Sequence, residues 1–207
     1  MIDHRSGPRR RGIVLEEAIR EAALAELTEV GYGNLSMERV AQRARASKAS
    51  VYSRWPSRAE LVADLAHALM PDASDAPDSG DLRGDLISLF RAIAEVLAGP
   101  AGEALRGLLA EVLPDPARTL EIRSRSQHSA RRALETVVQR AVDRGEVDAN
   151  AVTPRRLDAG PAMLRQQFLF AGAPIPDDII VGIVDEVALP LLIGLADQQR
   201  EPFVRVE

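Results

Sequence analysis

The chain has 207 residues, enough for one large or two small domains, and a hydrophobic content of 46% that can build a core. The absence of cysteine excludes disulfides, thiolate metal sites and cysteine nucleophiles, and it suits a reducing cytoplasm. The formal net charge of −5 argues against a protein that coats nucleic acid with its whole surface. Any contact with DNA is therefore expected to use one local patch.

The chain begins with a basic segment, residues 1–12, that contains four arginines. Such an arm can follow a phosphate backbone or enter a minor groove, and it can equally be a solvated tail. It does not read as a signal peptide, because two glutamates follow its short apolar stretch at once. The run nearest to a membrane span, residues 187–196, is far shorter than the roughly 20 residues that a span needs. We therefore expect no membrane association.

Three helices are predicted next. Apolar residues recur three and four apart over residues 13–30, which is typical of an amphipathic helix, and Gly31 ends it. The following stretch, residues 36–58, reads SMERVAQRARASKASVYSRWPSR. Ser36 and Ser47 each suit the N-cap position of a short helix. The sequence thus predicts a head of three helices that share one small core.

The second short helix has two different faces. Val51 and Trp55, four residues apart, supply its inner face. Its outer face carries only small or basic residues, which are Lys48, Ala49, Ser50, Ser53 and Arg54. Residues 36–58 contain six basic residues and one acid, a local charge of +5. The candidate polyanion-binding site therefore lies at this helix.

The pattern S-x-x-x-VA-x-x-A-x-ASKASVY-x-RWPSR resembles the DNA-binding segment of TetR-like transcriptional regulators. The dense part of the resemblance covers residues 13–65. One position departs from the family pattern, because Arg45 stands in the turn where the family usually has glycine. A left-handed conformation costs a non-glycine residue about 1 kcal/mol or more, so we expect a strained or altered turn.

The resemblance implies that the second short helix enters the major groove. Lys48 and Arg54 are then expected at base edges or in the groove with the small residues beside them, and Tyr52 at a phosphate. Ser36 and Arg58 are expected to anchor the DNA backbone. The alternatives are a core position for Tyr52 and simple solvation for the two cations. The full set of predicted DNA contacts is Ser36, Met37, Ser47, Lys48, Ala49, Ser50, Tyr52, Ser53, Arg54 and Arg58.

The rest of the chain also reads as helical. Ser57 and Glu60 form a capping box that opens a further helix. Later helices are expected to begin at or near Asp81, Pro100, Asp115, Thr153 and Pro176, and the one at Asp115 to run on to Arg144. We therefore predict an all-α fold of about nine helices, a helix-turn-helix head followed by a larger helical domain. The predicted parts are a flexible arm (1–12), a DNA-binding domain (13–56), a connecting helix (57–70), a linker (71–80) and a ligand-binding and dimerisation domain (81–200).

Two further expectations concern partners. A DNA-binding head needs a second copy about 35 Å away to meet successive major grooves, so we expect a homodimer. The last two predicted helices of the chain are apolar on more than one face. This suits pairing with a symmetric partner, although burial within one chain is the alternative. The resemblance also implies a pocket for an unknown small-molecule effector. Its expected lining residues, which are also candidates for ordinary core or surface positions, are Phe90, Arg123, His128, Met163, Gln166, Gln167 and Phe170.

The function predicted from these patterns is sequence-specific DNA binding by a bacterial, cytoplasmic, nucleoid-associated repressor that its effector releases from a palindromic operator. The alternatives are a ligand-responsive activator and a helical interaction module without DNA binding. An enzyme is not expected, because the chain lacks a cysteine nucleophile, G-x-S-x-G, H-E-x-x-H and a P-loop. No cofactor is expected. The three histidines are too far apart in sequence to suggest a metal site.

Overall fold

A computed structural model describes residues 12–126 and 129–194. All regular structure in these ranges is helical and none is strand, which confirms the predicted all-α class. The α-helices are α1 (Ile13–Val30), α2 (Met37–Arg43), α3 (Lys48–Tyr52), α4 (Arg58–Leu69), α5 (Leu82–Ala98), α6 (Pro100–Val112), α7 (Pro116–Ser126), α8 (Ser129–Asp143), α9 (Pro154–Phe170), α10 (Asp177–Ile183) and α11 (Leu189–Ile193). A π-helical turn, Val184–Ala188, connects α10 to α11. None of the helices described is both long and apolar enough to cross a membrane.

The ends of the helices follow the capping signals of the sequence. The Oγ of Ser36 accepts a hydrogen bond from the amide of Arg39 (3.4 Å), and the Oγ of Ser47 accepts one from the amide of Ser50 (3.1 Å). At the start of α4 the amide of Ser57 donates to a carboxylate oxygen of the glutamate three residues on (3.1 Å). These bonds satisfy amides that the first turn of a helix leaves without partners.

The described chain packs as two compact units. The first comprises residues 1–69 and 96–128, and the second comprises residues 70–95 and 129–207, in each case as far as the residues are described. In the first unit α4 packs against α1, α6 and α7. Its core joins apolar residues of the head to those of α6, including Val40, Val51, Trp55, Leu61 and Leu108. The domain boundaries predicted from the sequence stay a prediction.

The helix predicted over residues 116–144 corresponds to α7 and α8, which flank residues 127 and 128, and those two residues lie outside the described ones. These two helices belong to different compact units. The described residues hold eleven α-helical segments, of which α10 and α11 are continuous through the π-helical turn. The sequence did not predict that residues 116–126 and 129–143 belong to different units, because helical periodicity shows which face is buried but not which core each half packs on.

The second unit is built around α5 and α9. Phe90 is fully buried, and α9 approaches it closely at Gly160, where a Cβ atom would lie 2.8 Å from the phenyl ring. Two arginines on α5 pair with aspartates near the end of the described chain. Arg91 pairs with Asp177 on α10 and Arg83 pairs with Asp185 in the π-helical turn, each through two hydrogen bonds of 2.6 and 2.8 Å. Such bidentate pairs fix the geometry of the two partners as well as their separation.

Candidate nucleic-acid interface

The candidate interface is the outward face of α3. Val51 is fully buried and Trp55 is 6% exposed, so they attach the segment to the core of the first unit. Ala49 and Ser53 are exposed on the opposite side and Lys48 is exposed at the first position of the helix, as the sequence predicted. Since α3 has only five residues, its position depends on the helices that pack against it rather than on its own helical stability.

Tyr52 lies on this exposed face and not in the core. Its side chain is 40% exposed, and its hydroxyl donates a hydrogen bond of 3.3 Å to a carboxylate oxygen of Glu38. The ammonium of Lys48 lies 3.7 Å from the same carboxylate. Glu38 therefore links α2 to two of the predicted contacts, a role that the sequence analysis missed. The only local signal for it is that Glu38 lies in the first turn of α2, on the side that faces α3.

The pairing with Glu38 does not commit Lys48 to the protein. Both side chains are largely exposed, with 67% of Lys48 and 48% of Glu38 accessible. Exposed ion pairs of this kind contribute little to stability and are screened by salt. A hydrogen bond with backbone N–H at the start of α2, followed by the charge of Lys48, lowers the pKa of Glu38, so its carboxylate stays ionised at neutral pH.

Two of the predicted arginines are held within the protein. Arg54 donates to Glu16 on α1 (3.2 Å) and to the carbonyl of Ser50 (2.9 Å). Arg58 donates to Glu111 on α6 (2.8 Å) and to the carbonyl oxygen of residue 33 (3.1 Å). Arg58 thus has an internal role, and its contact with the DNA backbone stays a prediction. Sequence reasoning missed this because the partner carboxylate lies 53 residues away along the chain.

The contacts of Arg58 belong to a polar cluster around Glu111. The hydroxyl of Tyr32 donates to Glu111 (2.8 Å), and the guanidinium of Arg58 lies 4.9 Å from the centre of the Tyr32 ring. Burial would raise the pKa of Glu111, but hydrogen bonds from Tyr32 and Arg58 lower it below its usual value. Burial, together with the hydrogen bond to Glu111, raises the pKa of Tyr32. The phenol therefore stays a donor, and the cluster fixes the start of α4 to α6.

The start of α2 offers less than the sequence predicted. The Met37 side chain is 6% exposed and belongs to the core, so only its backbone is available to a partner. The Ser36 hydroxyl caps the helix and also lies 3.3 Å from Glu38. The burial of Met37 follows from the helical repeat, because it lies three residues before Val40 on the same face.

The turn between α2 and α3 is left-handed at Arg45, which has a φ of 53°. Its amide donates to the carbonyl of Gln42 (3.1 Å), and the amide of Ala46 donates to the carbonyl of Ala41 (2.9 Å). This pair of bonds is the Schellman arrangement that ends many helices, usually with glycine in the left-handed position. The strained turn predicted from the sequence is confirmed, and its ordinary hydrogen bonding shows that Arg45 preserves the helix-turn-helix geometry.

The predicted effector-binding residues whose side chains are described differ in their exposure, and their role in binding an effector stays a prediction. Phe90 is fully buried, whereas Met163 is 43% exposed and Phe170 is 82% exposed. Gln166 is exposed on the same side of α9, and Gln167 is half-buried. Arg123 lies on α7, where its side chain is not among those described. His128 and the basic arm of residues 1–11 lie outside the described residues.

Comparison with protein families identifies both parts of the chain. Residues 19–65 match the model of bacterial regulatory proteins of the tetR family. Residues 76–187, more than half of the chain, match the model of the C-terminal domain of tetracyclin-repressor-like proteins. The first match contains α2 and α3 with the turn between them.

Individual proteins give the same result. The HTH-type transcriptional regulator Rv1556 of Mycobacterium tuberculosis is 33% identical over 177 residues, which cover 86% of this chain and 87% of that protein. The DNA-binding transcriptional repressor TetR of Mycobacteroides abscessus is 31% identical over 191 residues, which cover 88% of this chain and 96% of that protein. The crystal structure of the TetR family transcription regulator SCO0332 matches with a TM-score of 0.70 at 25% identity, over 84% of this chain and 96% of that one.

Proposed function

This chain belongs to the TetR family of bacterial transcriptional regulators, and from that premise we propose that it is a dimeric repressor of a palindromic operator. It is a DNA-binding regulator, and regulators of this family bind DNA and dimerise. The proposal adds three points: which face reads the DNA, which face joins the two copies, and that a small-molecule effector releases the operator.

The outward face of α3 supports the first point. It combines the exposed side chains of Lys48, Ala49, Tyr52 and Ser53 with a buried inner face that holds the helix in place. Lysine donates to guanine O6 and N7, a small residue such as alanine can contact a thymine methyl, and a tyrosine hydroxyl can donate to a phosphate. Residues 39–59 contain no acid, and the carboxylate of Glu38, which reaches this face from α2, lies 3.7 Å from the ammonium of Lys48. This exposed face, which presents a lysine, a tyrosine hydroxyl and small residues, is the observation that carries the proposal.

The outward face of α9 supports the second point. Met163, Gln166 and Phe170 recur at helical spacing along it, and all three are exposed. The neighbouring α11 adds Ile193, 49% exposed, and α9 packs against both α10 and α11. Covering a side chain of the size of Phe170 stabilises an interface by about 1.5–3 kcal/mol. We place the dimer contact on this two-helix face, which reassigns three residues first expected to line an effector pocket.

The third point rests on the family resemblance. An effector can only shift operator binding by the difference between its affinities for the binding and non-binding conformations. A thermal-shift screen of small molecules, followed by measurement of operator release, identifies it. We expect a compound that raises the unfolding temperature also to weaken DNA binding. A compound that strengthens DNA binding would make the protein a corepressed or activating regulator.

Binding of the purified full-length protein to DNA tests the proposal directly. A fluorescently labelled palindrome from the region upstream of its own gene is compared with a scrambled duplex of the same composition, over a series of salt concentrations. Specific binding is expected to be at least about 10³-fold tighter than binding to the scrambled duplex. Affinity for both should fall as salt rises, because phosphate contacts release counterions. Equal affinity for the two duplexes would contradict sequence-specific regulation.

A further inference from the structure

We propose that Arg45, in the turn between α2 and α3, is an additional contact to the phosphate backbone of the operator. The inference rests on the proposed function, and it names a residue that the sequence pattern marked only as a departure from glycine. Three observations lead to it: the backbone conformation of Arg45, the contacts of the other cations of the head, and the charge of the surrounding sequence.

The backbone conformation is unfavourable for arginine. Among the described residues Arg45 is the one non-glycine residue with positive φ, and every other position with positive φ is glycine. Glycine would adopt the same turn without strain, since it has no Cβ atom. The hydrogen bonds of the turn are made by the backbone, so they do not require an arginine side chain. The fold therefore gives no reason for arginine at this position, and strained residues of this kind concentrate at functional sites.

The other cations of the head all have a carboxylate partner. Over residues 12–69 each of them lies within 4.0 Å of a carboxylate oxygen, and these cations are Arg20, Arg39, Arg43, Lys48, Arg54 and Arg58. Arg45 is the exception: the described residues provide it with no ion pair, and it is exposed. Its guanidinium is therefore available to an anion outside the protein.

The position of Arg45 favours a phosphate as that anion. It lies three residues before Lys48 and within the acid-free stretch of residues 39–59. Neighbouring positive charges repel one another in the free protein, and a bound polyanion replaces this repulsion with attraction. Phosphates line both edges of the groove into which α3 would insert, and a long flexible side chain in the turn just before that helix can contact one. Such a contact raises affinity for every DNA sequence rather than for one base.

The test uses substitutions that separate charge from backbone strain. Arg45→Gln removes the charge and keeps the strained backbone, Arg45→Lys keeps the charge, and Arg45→Gly removes both charge and strain. Arg43→Gln is the matched control. It also removes one positive charge, two residues before Arg45, but Arg43 is paired with Glu29. For each variant, affinities for the operator and for a scrambled duplex are measured against salt, together with the thermal unfolding temperature.

The expected results distinguish a DNA contact from a structural role. Arg45→Gln and Arg45→Gly should weaken binding to both duplexes by the same factor and reduce the slope of log affinity against log salt by about 1. Arg45→Lys and Arg43→Gln should retain the slope. Arg45→Gly should unfold at a higher temperature than the wild type although it binds DNA more weakly.

An unchanged salt slope and affinity in Arg45→Gln would overturn the inference. A lower unfolding temperature in Arg45→Gly would also overturn it, because arginine would then stabilise the turn and need no other reason to be there. These outcomes are separate from failure of the proposed function. A wild-type protein that does not prefer its operator would refute specific regulation, whereas a wild type that prefers it and an Arg45→Gln variant that matches it would refute the phosphate contact alone.

Discussion

At the scale of single residues, Lys48 carries the clearest prediction. Lys48→Ala is expected to lower operator affinity by about 1–3 kcal/mol, the range for a good base contact, with little change in binding to a scrambled duplex. Stability should hardly change, because the pair with Glu38 is exposed. Competition binding with the two duplexes measures the effect. Glu38→Gln is the control, since it removes the pair but keeps the lysine. Unchanged operator affinity in Lys48→Ala would exclude it from the interface.

Sequence patterns predicted which side chains of α3 are exposed, but they did not predict which carboxylates pair with the cations of the head. Helical spacing is sufficient to bury Val51 and expose Ala49 and Ser53, because with 3.6 residues per turn these two lie on the opposite side of the helix. The partner of Arg58 depends on how α6 packs against the head, and no local pattern encodes a carboxylate at position 111. The partner of Arg54 was missed for the same reason, since Glu16 lies on another helix.

At the scale of helices, the contact between Tyr32 and α6 predicts a steric requirement for Gly107. A Cβ atom at Gly107 would lie 2.6 Å from the Tyr32 ring, so the ring must move and its hydrogen bond to Glu111 must weaken. Gly107→Ala is expected to destabilise the fold by about 1–3 kcal/mol, measured by denaturant unfolding. Gly33→Ala is the control, because nothing lies within 4 Å of a Cβ atom there. Equal stability of both variants would contradict this packing.

The two ion pairs of α5, Arg91 with Asp177 and Arg83 with Asp185, predict how the stability of the fold depends on pH. Side-chain hydrogen bonds from Arg91 and Arg83 lower the pKa values of Asp177 and Asp185. A carboxylate with a lowered pKa stabilises the fold fully above the pKa of the unfolded chain, about 4 for aspartate, and this contribution disappears as the pH falls through the lower folded-state value. The unfolding temperature should therefore be steady above about pH 5 and fall below about pH 4.

Circular dichroism melts between pH 3 and 7 measure this dependence. A variant that combines Asp177→Asn with Asp185→Asn should be less stable at pH 7 and should lose less stability on acidification. A wild-type unfolding temperature that rises as the pH falls would show that these pairs do not stabilise the native state.

The helices themselves were largely predictable from sequence, and their grouping was not. Serine caps and the glycine after α1 mark helix ends through local hydrogen bonds, so the sequence placed them closely. Whether α6 packs with the head or with later helices depends on contacts between residues far apart in the chain.

At the scale of the whole molecule, the exposed face of α9 predicts how two copies associate. Phe170→Glu should shift the protein towards a monomer at micromolar concentration, because it places a charge where a buried aromatic side chain is expected. Light scattering or sedimentation measures the mass in solution. Leu120→Glu is the control, since that leucine is 65% exposed on α7, a helix that is not part of the proposed face. A Phe170→Glu variant that remains as dimeric as the wild type would exclude Phe170 from the contact.

The central claim is that two copies of α3 enter successive major grooves on one side of a DNA duplex. Hydroxyl-radical footprinting of the wild-type protein on its operator tests this geometry most directly. The account predicts two protected half-sites whose centres lie about 10–10.5 base pairs apart, or a whole multiple of that spacing. A single protected site, or half-sites on opposite sides of the duplex, would contradict it.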